Sequence, residues 1–495
     1  MSSQLKTMIV ILLLLASPLL HAQPCPVTLG PTLQISNTAI PAFSPKLAVV
    51  GDTVHVVYHA GAVYYQRSTD GGQAWGVQTE MVAAESMSAT LWNRPLAAMG
   101  RDVILVWSNR NSSGAITSIK IRRSTDAGMS WLEPQVIVAN QSSVTYDAPM
   151  VTAFDTQVFV TLNRAVFPIY HYFLTRSFDG GITWDSVRQI TTVQETHGAL
   201  GDLRATMGGV YLTLERATLP SGREIGFMLS TDAGITWGAE QVLSTIDDYQ
   251  AWEPNVAADD AGNVYVSWQD AKYGSIGGFA GTVLLRRSTD HGQTWLPEVQ
   301  VSSLPSARGS SLSVDGGSVH AVWDDERNGF QDGTIQYRGS SDEGITWCSE
   351  MTLGGPLRRA LNAAFTSISQ HLYAVWSSDR SVAGDTAQVF FQGGDIITNV
   401  EQTHSTVHES FIVSPPYPNP FNSITTLEYR ILSHGPVAIS VFDNLGRTIA
   451  NVFEGSQAAG RYRMIFDGSM LASGVYHVVA RHQNTQIVRE VILIR

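Results

Sequence analysis

Six copies of one octapeptide govern what this 495-residue chain can fold into. They read STDGGQAW ending at Trp75, STDAGMSW at Trp131, SFDGGITW at Trp184, STDAGITW at Trp237, STDHGQTW at Trp295 and SSDEGITW at Trp347, and successive tryptophans stand 56, 53, 53, 58 and 52 residues apart. A period near 50 residues marks one repeated supersecondary unit. It predicts a β-propeller or another array, because single cores stop growing at roughly 250–300 residues. Each copy lies between two short apolar runs, such as VLLRRS and EVQVS, and therefore reads as a hairpin turn. Its Ser and Asp side chains can accept hydrogen bonds from turn amides, its Gly can take positive φ, and its Trp returns the chain to an apolar surface. Two further strands precede the octapeptide in each unit, as in VHVVYH (54–59), VILVWS (103–108) and VYVSWQ (264–269).

Seven such strand pairs stand against six octapeptides, LYAVWS (372–377) being the last. The final unit ends in QVFFQGGD (388–395) without a fourth strand, and the N-terminal region offers an orphan one, TLQIS (32–36). One unit shared between the chain ends would close a ring. The expected fold is all-β, with a seven-bladed β-propeller over 23–395; counting only complete octapeptides would make it six-bladed. Cys25 would lie near the start of the closing strand and Cys348 just after the turn of the neighbouring unit, so they either clasp the closure as a disulfide or remain two thiols.

The flanks read differently. Residues 1–22 have the form of a signal peptide, with Lys6, an apolar run from Met8 to Leu20, and Leu20-His21-Ala22 before Gln23. That run is too short to span a bilayer, and no later stretch is long enough, so no transmembrane anchor is expected after signal removal. Residues 396–416 are polar and lead into SPPYP, which predicts a linker. Alternating strands return over 417–495, separated by turns such as AsnLeuGly (444–446), and predict a small immunoglobulin-like β-sandwich. Against 43 Asp and Glu the chain has 31 Lys and Arg, a net charge of −12, with no basic cluster. That balance argues against nucleic acid and anionic membranes as partners.

Propeller ligands are usually taken at the mouth of the central channel, by loops entering the first strand and leaving the second strand of each unit. Aligned across the repeats, those loops hold Trp92, Arg94, Asp147, Arg216, Tyr249, Trp252, Glu253, Asp270, Arg308, Arg327 and Arg358. Arginines, carboxylates and aromatics together suit a polar ligand, since Arg forks onto carboxylates and aromatic rings stack on sugars. No metal is expected: the histidines lack zinc spacing, and AspAspAlaGlyAsn (259–263) falls where each unit needs a turn. No cofactor motif is present either.

The octapeptide Ser-x-Asp-x-Gly-x-Thr-Trp resembles the Asp-box, or BNR repeat, of the sialidase superfamily. That resemblance implies a propeller whose boxes, with Asp70, Asp126, Asp179, Asp232, Asp290 and Asp342, stabilise turns on the face away from the active site. TyrProAsnProPheAsn (417–422), VFDNLGR (441–447), SerGlyValTyr (473–476) and the tail REVILIR (489–495) resemble type IX secretion sorting domains. They imply passage through the type IX machinery and a secreted or outer-surface location, reached through the periplasm. Sialidase chemistry in that superfamily needs three arginines, a Tyr nucleophile activated by Glu, and an Asp acid/base. TrpGluPro (252–254) is similar to the family's Glu-Pro segment and makes Glu253 the candidate base. SerProLys (44–46) and AsnArgPro (93–95) depart from its arginine motif, and no tyrosine matches. The expectation is therefore an exported propeller that binds glycans or other extracellular polymers; exo-sialidase or another glycoside hydrolase is the enzyme alternative.

Overall fold

The structure, a computed structural model, describes residues 25, 27–82, 87–88, 94–111, 113–140, 144–166, 169–191, 196–218, 222–274, 280–329, 332–355, 360–379, 386–396, 411–413, 416, 419, 421–431, 434–443, 447–483 and 485–494. Its regular elements are strands, consistent with an all-β chain. The expected signal peptide and most of the expected linker lie outside the described residues.

Each repeat folds as an antiparallel sheet in chain order. The first unit runs Phe43–Val50, Thr53–Ala60, Ala62–Ser68 and Thr79–Val82. Later units begin with Leu96–Met99, Tyr146–Phe154, Thr196–Thr206, Ala251–Ala258 and Ala307–Asp315. In the last unit, Leu361–Ile368, His371–Ser378 and Gln388–Ile396 are completed by Val27–Gln34, which pairs antiparallel with Gln388–Ile396. A disulfide between Cys25 and Cys348 ties that closing strand to the preceding unit. First strands of consecutive units pack on one another, and Leu361–Ile368 packs back on Phe43–Val50, so the array is a closed ring. Second strands are buried on both faces, because each is flanked by its own sheet and by neighbouring units; Val264–Asp270 is buried at every position.

The octapeptides hold the units together. In the second, Ser124 Oγ donates to Asp126 Oδ1 at 2.7 Å and accepts the Gly128 amide at 2.8 Å, while Asp126 also accepts the Ser130 amide at 2.8 Å. The same serine-to-glycine bond recurs at 2.8 Å in the other five copies. An arginine from the preceding unit then donates to a carbonyl of the turn: Arg67 to Ala127 O at 2.8 Å, Arg123 to Gly180 O at 2.7 Å, Arg176 to Ala233 O at 2.5 Å and Arg287 to Glu343 O at 2.8 Å. The Ser130 hydroxyl and the turn amides hold the Asp126 carboxyl well below the usual range, which is what a capping carboxylate rather than an acid catalyst shows.

The second domain has a three-stranded sheet, Phe411–Val413, Ile424–Ile431 and Gly460–Asp467, and a four-stranded one, Gly435–Asp443, Thr448–Gln457, Gly474–His482 and Thr485–Leu493. They share a core that includes Phe411, Phe421, Tyr429, Ile439, Val478 and Val491. Phe411–Val413 falls within the stretch that composition reads as linker. Its apolar Phe-Ile-Val run pairs with Ile424–Ile431 and buries Phe411 completely, so the second domain begins earlier than expected.

Gly128 takes φ 77°, and a Cβ there would come within 1.8 Å of the Tyr65 hydroxyl of the preceding unit. Gly128→Ala is expected to destabilise the protein by roughly 2–4 kcal/mol, combining left-handed backbone strain with overpacking. Gly114→Ala, also at positive φ but with open space around it, is expected to show the backbone cost alone. Chemical denaturation of the two variants separates the terms.

Candidate functional site

The innermost strands of six units carry one irregularity at the same place. Pairing with the second strand slips between Phe43 and Lys46, Asp147 and Met150, His197 and Gly201, Trp252 and Asn255, Arg308 and Ser310, and Leu361 and Ala364. Ser44, Ala148, Glu253, Gly309 and Asn362 take φ of 50°, 48°, 50°, 52° and 58° inside these bulges. A bulge bends its strand and re-aims the adjacent side chains. Five of these bulges border a cavity of about 310 Å³, whose lining includes Ser44, Lys46, Arg94, Asp202, Glu253, Asn255, Arg308, Asp324 and Asn362.

The ends of three second strands support the next unit's bulge. Glu215 Oε1 accepts the Glu253 amide at 3.2 Å, Gln269 Oε1 accepts the Gly309 amide at 3.2 Å, and Asp324 Oδ2 accepts the Asn362 amide at 2.6 Å. Asp324 Oδ1 accepts the Ala363 amide as well, at 3.1 Å. A bulge amide that leaves the ladder must find another acceptor when buried, and these side chains provide it. Gly198 is required beside Glu215, since a Cβ there would lie 2.2 Å from Glu215 Oε2.

The two arginines of the cavity are each paired with a carboxylate. Arg94 forks onto Asp202, with Nε to Oδ1 and Nη2 to Oδ2 both at 2.8 Å. Asp202 also accepts Asn255 Nδ2 at 2.8 Å and the amides of Val256 and Leu203 at 3.0 and 2.9 Å. Arg308 Nη1 lies 3.2 Å from Glu326 Oε1. Burial pushes the Asp324 carboxyl up to about 7 despite its two amide bonds, and the nearby Glu253 adds to the rise. Burial raises Glu253 too, with Arg308 and Lys46 opposing. It lowers Lys46, against the pull of Asp324. Buried acids of this kind can hold a proton near neutral pH.

Of the residues chosen from sequence, the cavity lining contains Arg94, Glu253 and Arg308. Trp92 and Arg358 lie outside the described residues. The remaining ones sit in other surroundings. Asp147 accepts Ser108 Oγ at 2.5 Å and its neighbour's amide, that of Ala148, at 2.7 Å. Arg216 pairs with Glu240 at 3.3 Å, and Arg327 forks onto Asp325 at 2.7 and 2.9 Å while also reaching Glu350 at 2.7 Å. Asp270 accepts the Trp268 indole at 3.0 Å and the Lys272 amide at 2.9 Å. Trp252 is half-buried in the sheet opposite Gln269, and Tyr249 is exposed. Sequence reading did not select Lys46 or Asn255 for the site, whereas Asp202 and Asp324 stand on the loops it pointed to. Aligning the repeats on Ser44-Pro45-Lys46 and Glu253-Pro254-Asn255 places Lys46 and Asn255 at equivalent positions, the signal by which both could have been found. Among the described residues no group of three His, Cys, Asp or Glu side chains is placed to hold a metal ion.

Residues 62–355 match the BNR repeat-like domain. The chain belongs to that family. Residues 416–494 match the secretion system C-terminal sorting domain, which marks this BNR-repeat protein for export to the cell surface or the medium. Among curated proteins none matches it significantly. Among solved structures, an ulvan lyase of a new polysaccharide lyase family is similar at 12% identity and TM-score 0.52, over 72% of this chain and 95% of that one. The polysaccharide lyase Uly1 is similar at 10% identity and TM-score 0.51, over 73% and 91%. The intramolecular trans-sialidase from Ruminococcus gnavus has 13% identity, TM-score 0.39 and coverage of 72% and 95%. At such identities the lyases speak to fold alone, and that fold is the propeller. No helix among the described residues is long and apolar enough to cross a membrane.

Glu215 is 1% exposed and burial raises its carboxyl to about 7. The folded state therefore holds a proton that the unfolded chain releases near pH 4.5, so this group's contribution to stability falls as pH rises from about 4.5 to about 7. Glu215→Gln retains an acceptor for the Glu253 amide and removes the titration. Relative to the wild type, its stability is expected to rise by about 1–3 kcal/mol between pH 5 and pH 8, as read from denaturation midpoints.

Proposed function

We propose that this is a seven-bladed propeller, closed by the strand from the N-terminal region, that binds a carbohydrate polymer outside the cell. In this reading the propeller occupies 23–395, the cavity at the bulges is the ligand site, and the second domain is an immunoglobulin-like module that works with the type IX machinery. One observation carries the binding reading over sialidase: Arg94, Arg216, Arg308 and Arg327 are each held by a carboxylate. A guanidinium forked onto a buried Asp is not available to clamp a substrate carboxylate without breaking a pair, a cost of several kcal/mol. What remains toward the cavity is a polar lining that includes Lys46, Glu253, Asp324 and Asn362, suited to hydroxyl-rich ligands.

A second reading, glycoside hydrolysis, is favoured by the two raised carboxyls of Glu253 and Asp324 on the same cavity wall. Release of a fluorogenic aglycone from sialosides and from neutral and acidic aryl glycosides by the secreted protein tests the choice. We expect no turnover above buffer. Turnover that falls about 10²–10⁴-fold in both Glu253→Gln and Asp324→Asn would replace the binding reading with the hydrolytic one.

A further inference from the structure

Two exposed aromatic rings on the loops that flank the Glu253 strand take no part in the core. Tyr249 precedes Ala251–Ala258, the strand that delivers Glu253, and Tyr273 follows Val264–Asp270, the strand paired with it. The Ala271 amide donates to Gln250 O at 3.0 Å, so the two loops leave the sheet side by side. Their rings are 53% and 54% exposed. Four residues separate Tyr249 from Glu253, which bounds their Cα atoms to within about 14 Å of each other.

These loops are pinned from beneath by buried acids. Glu224, 1% exposed, accepts Ser244 Oγ at 2.5 Å and the Asp247 amide at 3.3 Å, and Asp247 accepts the Tyr249 amide at 2.8 Å. Asp270, 3% exposed, fixes the Lys272 amide. Lys272 Nζ is paired with Glu298 and stands 5.3 Å from the centroid of the Tyr273 ring. Burying carboxylates costs free energy that only such bonds offset. The outcome is a pair of rings held in water on ordered loops, where they add little to folding but lose little entropy when something stacks on them. A pyranose ring, apolar on its C–H face and polar at its edge, fits a tyrosine face flanked by a lysine.

We propose that Tyr249 and Tyr273 form a sugar-stacking platform that continues the cavity across the rim, so that the protein engages several consecutive units of a polysaccharide. The proposal rests on the glycan reading of the cavity. Affinity electrophoresis of the full secreted chain through gels containing alginate, polygalacturonate, xylan or mucin tests both. For a polymer that retards the wild type, Tyr249→Ala and Tyr273→Ala are each expected to weaken binding about tenfold, the scale of one stacked ring. Tyr273→Trp should restore it, and Lys46→Met in the cavity should weaken it independently. Retardation of both alanine variants equal to the wild type, with loss in Lys46→Met, would overturn the platform and leave the cavity reading standing. A wild type retarded by none of the four polymers would sink the cavity reading and the platform with it.

Discussion

The hydrogen bond from the octapeptide glycine amide to the octapeptide serine hydroxyl is the contact on which the rest of the structure depends. At 2.8 Å in each copy, it folds the turn so that the Asp carboxylate caps the following amides, and in four copies a carbonyl turns outward to meet an arginine of the preceding unit. The glycine is then close enough to the previous sheet that Gly72 faces Phe391 and Gly128 faces Tyr65 with no room for a methyl group. At the ring closure this matters most, since Phe391 belongs to the strand paired with Val27–Gln34 and also packs on Trp75 at 5.0 Å between centroids. One turn motif thus sets both the hairpin and the spacing between units.

The opposite face solves the same problem by other means, and the site is a by-product of that solution. Bulges on the innermost strands free amides from their own ladder, and Glu215, Gln269 and Asp324 of the preceding units reach across to take them. Acceptors that must be buried to do this become acids with raised affinity for protons. The polar lining of the cavity and its perturbed carboxyls therefore follow from how the ring is joined, before any ligand is considered. Perturbed acids in a cleft are accordingly a weaker sign of catalysis here than usual, because structural networks shift pKa values too.

The architecture was legible because the turn chemistry is written in residue types. Ser, Asp, Gly and Trp at fixed offsets have no substitute for those roles, and the orphan strand read at TLQIS (32–36) overlaps the end of the observed closing strand Val27–Gln34, which starts five residues earlier. The site was legible only in part. Arg94 looks free in sequence, and its partner Asp202 stands 108 residues away. Of the bulge residues that share this backbone conformation, Ser44, Ala148 and Glu253 each precede a proline, whereas Gly309 and Asn362 carry no such mark. Lys46 is marked only by that proline alignment, because its approach to the cavity is set by the bulge before it. The apolar Phe411–Val413 was obscured by the polar composition around it.

The central claim is that an exported propeller takes its polymer at the bulges rather than on its octapeptide face. Amide hydrogen exchange of the secreted protein, with and without the polysaccharide that retards it most, addresses this directly. The account predicts slower exchange around 44–47, 253–256, 309–312 and 362–365, with the octapeptide turns unchanged. Protection confined to turns such as 124–131 or 177–184, with none at the bulges, would contradict it.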